Sequence, residues 1–300
     1  MSTVQAIEAR DHHRLGLFLV AGSAITWSFG GTIARFITLD DPWTIVFWRS
    51  AFAAAFLILF MLLRDGPRGT LALFRNMGLP GIAVGVCFAI ASTSFIVALQ
   101  HTTVANILLM QAGVPLIAAL LAWALFGERV SLPTWAAIAA VIAGVAIMVS
   151  ASFTGEVSPL GDGLALLISV MFSIATVITR RAHTVRMTPA VCLGTILAAI
   201  AAGLLASGFS ASAENFAWLF GFGAVNLGMG LAMFATGARL IPSAVAALVG
   251  TLEPVLGPIW VWLIHGEVPG DRTIIGGTIV FLALFIHLLT DFWRQRQRSV

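Results

Sequence analysis

Glu253 is a carboxylate in the middle of a long apolar run, immediately before Pro254, and the only one at such depth in the chain. A charge held at the centre of a bilayer costs roughly 3 kcal/mol or more, so such a group faces a cavity or carries a proton. It can act as counter-charge for a substrate ammonium or as a proton-coupling group, or, as a neutral acid, bond the backbone freed near Pro254. Arg49 lies about 9 Å inside the second apolar run. It either snorkels outward to Asp40 or Asp41, attracts an anionic group, or latches a gate. His101 caps the end of the third run, in a structural role or in handling protons or substrate; His265 and His287 resemble it. Thr93 and Ser94 give the third run a polar face, Asn106, Gln111 and Gly113 the fourth, and Asn226 the eighth. Such groups tie helices together or hold the polar head of a substrate. Trp27, Phe95 and Phe172 offer aromatic walls for its apolar part, or pack against neighbours.

Pro115 and Pro254 stand 139 positions apart, and each is followed at the same distance by a Gly-Glu pair, Gly127-Glu128 and Gly266-Glu267. Ala105/Ala244 and Leu109/Leu248 extend the match at the same offset. A proline inside a helix removes a hydrogen bond and pushes on the carbonyl four residues back, here those of Gln111 and Gly250. Both prolines fall near mid-depth, where free carbonyls are tolerated only against protein or a wet cavity. The expectation is a pair of hinges at Pro115 and Pro254, with Gly257 and Pro258 weakening the second further. A static kink packed against neighbours is the alternative. Paired breaks in two halves of one chain point to a secondary transporter with its site between them.

The elements that must carry these residues are membrane helices. The chain is 59% hydrophobic and 10% charged over 300 residues, whereas a soluble domain carries roughly 25% charge. Ten runs reach the roughly 20 residues a helix needs to cross a bilayer: about 14–36, 43–63, 79–100, 103–126, 133–151, 160–180, 189–208, 216–238, 243–265 and 272–292. They are too long and continuous for the alternating strands of a barrel. The fold class expected is all-α integral membrane, two five-helix repeats over 14–151 and 160–292. The connections near 64–78 and 207–215 are the longest, so no extramembrane domain is expected. The first run is too long for a signal h-region, and no cleaved leader is expected.

All sixteen basic residues are arginines, and they alternate between connections. One side holds Arg10, Arg14, Arg64, Arg68, Arg75, Arg129, Arg180, Arg181, Arg186, Arg239, Arg294, Arg296 and Arg298. The other holds Arg272, with Arg35 and Arg49 near helix ends, beside Asp40, Asp41, Glu156, Asp162, Glu214, Glu267 and Asp271. The positive-inside rule then places both termini in the cytoplasm. An odd helix count per half turns the second half upside down. Trp27-Ser28 aligns with Phe172-Ser173 and Arg35 with Arg180.

Missing motifs narrow the chemistry. There is no Gly-x4-Gly-Lys-Ser/Thr loop, His-Glu-x2-His, Cys-x2-Cys or Gly-x-Ser-x-Gly, so neither nucleotide hydrolysis nor an enzyme is expected. No metal or other cofactor is expected, and arginines in short clusters do not suggest nucleic acid. Cys87 and Cys192 read as buried free thiols. Small-residue faces such as Gly221, Gly223, Gly228 and Gly230 suit packing within one protomer and between two alike, which leaves a homo-oligomer open.

Ala98-Leu99, Thr102, Ala105, Pro115, Phe126-Gly127-Glu128-Arg129, Trp135 and Gly144-Val145 resemble the EamA-type repeat of the drug/metabolite transporter superfamily. A second copy runs through Leu252-Glu253-Pro254 and Gly266-Glu267 to Gly276-Gly277. The resemblance implies ten helices, both termini inside, and a central cavity lined mainly by helices 1, 3, 4, 6, 8 and 9. Trp27-Ser28 followed by Arg35 is similar to the first helix of the bacterial aromatic amino-acid exporters. The chain has no tyrosine, so stacking falls to Trp and Phe. The function implied is export of aromatic or hydrophobic amino acids across the inner membrane by alternating access. Cationic drugs or another small metabolite are the alternative cargo.

Overall fold

A computed structural model describes residues 3–153, 158–182 and 185–298; Glu156 lies outside them. In hydrocarbon every backbone polar group must be satisfied internally, so the apolar runs can only be helices. Among the described residues, nine helices are long and apolar enough to cross a membrane, and a pair bent by 44° supplies a tenth crossing. They follow in chain order as α1 (Thr3–Ser28), α2 (Gly30–Phe36), α3 (Pro42–Asn76), α4 (Gly78–Ala98), α5 (Val104–Ala112), α6 (Val114–Phe126), α7 (Leu132–Phe153), α8 (Pro159–Arg181), α9 (Thr188–Leu205), α10 (Ala213–Phe220), a π-helical stretch Gly221–Met229, α11 (Gly230–Gly237), α12 (Ser243–Gly250), α13 (Leu252–His265) and α14 (Asp271–Arg298).

The expected breaks are present, and their position is corrected by one turn or less. The fourth span parts at Gly113, between α5 and α6, and the ninth at Thr251, between α12 and α13. Pro115 and Pro254 therefore open the second half-helix of each span instead of kinking a continuous one. In the first turn the missing proline N–H costs nothing, and the residues at the two breaks, Gly113 and Thr251, keep right-handed helical dihedrals. The ninth span lacks the sharp bend of the fourth. Gly257 and Pro258 do not interrupt α13: Gly257 is the point where that helix presses on Leu108 and on the backbone of Ser28.

One interruption was not expected, and one expected loop is reduced to a kink. The first span parts at Phe29, between α1 and α2. The expected loop at 64–78 is mostly helix, because α3 runs on to Asn76 past a kink at Gly66 (φ 71°) followed by Pro67. The two Gly-Glu pairs acquire a common explanation. Gly127 and Gly266 end α6 and α13 in the left-handed conformation, at φ 65° and 67°, which side chains other than glycine resist.

The halves interlock. The first span packs on the eighth and ninth, and the sixth packs on the third and fourth, as an inverted repeat requires. The second lies along the seventh, and the fifth along the tenth. The last pair cross where Gly144 meets Gly276, too close to admit a Cβ on either.

Candidate functional site

Between these interlocked halves lies a cavity of about 960 Å³. One helix measures its depth: α3 lines it from Arg49 to Arg64, about 22 Å at helical rise. Its mouth is at the arginine-rich end, among Arg64, Arg180, Arg186 and Arg239. Both breaks open onto it, through Gln111, Ala112, Val114 and Pro115 on one side and Gly250, Thr251, Glu253 and Pro254 on the other. Ser173 Oγ donates to the carbonyl of Val114, 3.1 Å away, satisfying one group at the first break.

Of the residues expected here, Trp27, Arg49, Phe95, Gln111, Phe172, Asn226 and Glu253 do line the cavity. Arg49 does not snorkel to Asp40 or Asp41. It is 7% exposed, donates from Nη1 to Ser92 Oγ at 2.8 Å, and lies over the ring of Phe222 at 4.3 Å from its centre. Glu253 makes no hydrogen bond or ion pair within the described residues. Asn226 spends its amide N–H groups on the carbonyls of Thr26 and Trp27, at the break in the first span.

Three expectations need correction. Ser94 is buried but does not face the cavity, whereas Ser92 does. The two are about 200° apart on the helix, and Phe95 shares the face of Ser92. Asn106 is also buried away from the cavity, where it donates to Asp162 Oδ1 and Thr102 Oγ1 and so ties α5 to α8. His101 sits at the far end beyond α4, with its carbonyl against Gly161, and does not line the cavity. Phe222 and Phe234 line the cavity without having been singled out. Phe222 comes from the π-helical stretch, whose wide turn also places Asn226; such turns gather at functional sites. The second, seventh and tenth spans contribute lining beyond the six helices expected.

The far end is shut. Arg35 Nε and Nη2 reach Glu267 Oε2 at 2.9 and 2.8 Å. Arg35 Nη1 also donates to the carbonyl of Leu99 at 2.7 Å, and Nη2 to that of Thr102 at 3.3 Å. Glu267 Oε1 accepts the Val104 N–H at 2.7 Å, at the start of α5. Phe36 stacks on Trp218 with ring centres 4.5 Å apart, and His265 Nε2 lies 3.1 Å from the carbonyl of Thr32. Nearby, Asp41 caps α3 and accepts from the N–H and hydroxyl of Ser207, while Thr44 donates to the carbonyl of Gly208. Burial pushes the Asp41 carboxyl up, but hydrogen bonds from Ser207, Thr44 and Trp43 outweigh that and hold it below the ordinary carboxylate range.

Sequence reasoning missed the Arg35–Glu267 pair. Both residues were marked by the repeats, and their 232-residue separation hid the contact. The counterparts of this pair are Arg180 and Glu128, at the mouth. There the closest approach is 3.7 Å, with Arg181 at 3.5 Å.

Residues 14–150 and again 159–289 match the model of the EamA-like transporter family. A solved crystal structure of a protein 20% identical superposes with a TM-score of 0.64, over 91% of this chain and 97% of the other. That likeness bears on the fold alone. No curated protein matches the chain.

Proposed function

We propose, from the premise that the chain belongs to the EamA-like transporter family, that it exports aromatic and hydrophobic amino acids across a bacterial inner membrane by alternating access. The coarser statement, a multi-pass membrane transporter of small solutes, follows from membership itself. The observation that carries the finer one is Glu253, a carboxylate without partner in an aromatic-walled chamber between two broken helices. It suits a substrate ammonium, while Trp27, Phe95, Phe172 and Phe222 suit an apolar side chain. Gln111 and Thr251, which line the chamber at the two breaks, suit a polar head.

With arginines facing the cytoplasm, the mouth opens inward, which is the loading state of an exporter. To release outward, the Arg35–Glu267 pair must part and its repeat counterpart must close. Glu128 would then meet Arg180, which would turn to the carbonyl of Ala238, the counterpart of Leu99. The breaks at Gly113 and Thr251 are where the half-helices swing.

Proteoliposomes loaded with labelled phenylalanine or threonine should release it faster than empty-protein controls. Flux at the control level for every amino acid tried would remove the substrate assignment. A second reading keeps the cycle and carries cationic drugs, favoured by the same unpaired carboxylate. E253Q separates them: if cation export stops while zwitterions still pass, Glu253 is a cation counter-charge. If neither changes, Glu253 has been given the wrong role.

A further inference from the structure

We infer that the closed end of the chamber is a carboxylate subsite built on the guanidinium of Arg49, with the indole N–H of Trp27 and the amide of Gln111 as further donors carried by the lining. The inference rests on the chamber being the transport site. It assigns the cargo as a zwitterion whose carboxylate points away from the mouth.

Arg49 is a buried cation without a counter-ion. It forms no ion pair within the described residues, its Nε is buried without an acceptor, and one hydroxyl, that of Ser92, is its sole hydrogen-bond partner. Leaving such a charge uncompensated is costly. The rings of Phe222 and Phe95, with centres 4.3 and 5.8 Å from its Cζ, hold the face of the guanidinium. Cation–π contact uses that face and leaves the N–H edge free, and the edge is what binds a carboxylate in bidentate fashion.

Two other lining residues, on α1 and α5, also carry a buried donor without an acceptor, Trp27 Nε1 and Gln111 Nε2. The other buried side-chain atoms without partners, on Thr32, Ser50 and Asn106, belong to residues outside the lining. So, beside the unpartnered carboxylate of Glu253, the lining carries buried N–H groups without acceptors, and what satisfies N–H is an oxygen acceptor. The charges agree. Arg49, Arg64, Arg180, Arg186 and Arg239 line the cavity against a single carboxylate, Glu253. That field draws in a molecule carrying an anionic group and repels a pure cation.

Counterflow of labelled phenylalanine in proteoliposomes of the full chain, competed by unlabelled phenylalanine, phenylalaninamide and phenethylamine, tests this. The last two keep the ring and the ammonium and lack the carboxylate. Each should compete at least about tenfold more weakly than phenylalanine. In R49Q that gap should close. R49K, which keeps charge without the fork, should fall between. Phenylalanine should also raise the Tm of the purified wild type and leave that of R49Q unmoved. If the two amines compete as well as phenylalanine on the wild type, the carboxylate subsite is wrong and the transport reading stands; this arm needs no variant to fold. If phenylalanine neither flows nor shifts the Tm, both readings fall together.

Discussion

The two ends of the molecule use the same parts at different distances. At the far end Arg35 and Glu267 touch at 2.8 Å, with side chains 30% and 18% exposed. At the mouth Arg180 and Glu128 stand 3.7 Å apart, 61% and 38% exposed. Each glutamate follows a glycine that stops a half-helix in the left-handed conformation, and each arginine closes the first span of the other half. Chemistry and local geometry are therefore matched, and only the closure differs. A doubled fold caught in one state cannot be symmetric. The difference between its ends records which way it faces.

Several measurements would break or sharpen that comparison. The largest effect is expected from R35E, which removes the ion pair and both backbone contacts and leaves two acids together. Charge-assisted contacts of this kind shift the balance of states by about 2 kcal/mol, roughly thirtyfold. With Cys87 and Cys192 replaced by alanine, a Thr176→Cys reporter in the chamber should then react with an impermeant thiol reagent from the far side. Adding E267R should reverse this. Unchanged labelling in R35E would mean that the pair does not hold the end shut.

G266A and G127A come next. Each forces a side chain into the left-handed region at a cost of about 1 to 2 kcal/mol, read as a drop in Tm. Only G266A should also loosen the far end, because only its neighbouring glutamate is engaged. Equal labelling of the reporter in the two variants would contradict this.

A smaller effect is expected from E128Q. Exposed pairs contribute about 1 kcal/mol or less, so resting accessibility should hardly move. Net export should still slow, because the mouth loses its means of closing. Faster export would count against alternation. The mildest effect concerns pH. The Asp41 carboxyl is held below its ordinary value, so its contribution is present above an unfolded value of about 3.9 and is lost as pH falls through the lowered one. Melting of the wild type should therefore decline in acid more than melting of D41N, and parallel curves would exclude that role.

The architecture was legible because hydrophobic length, arginine alternation and a constant repeat offset are one-dimensional signals. The chamber was legible where one residue breaks the pattern alone, as Glu253, Arg49 and Gln111 do. It failed where a helix is apolar on every side. In α4 nothing in the pattern says which face is inward, so Thr93 and Ser94 read as its polar face although Ser92 is the serine that lines the cavity. Asn106 misled for a related reason. A buried amide that bonds Asp162 and one that binds cargo look alike until the neighbour is known. The partnership of Arg35 with Glu267 depends on how the halves interlock, which no local pattern encodes.

Each ion pair that marks an end of the chamber takes its arginine from one half of the chain and its glutamate from the other. Neither half owns a complete clasp. Separated at the 154–157 junction, each would keep its helices and its glycine stop and yet have nothing to fasten to, so closure at either surface is a property of the union alone.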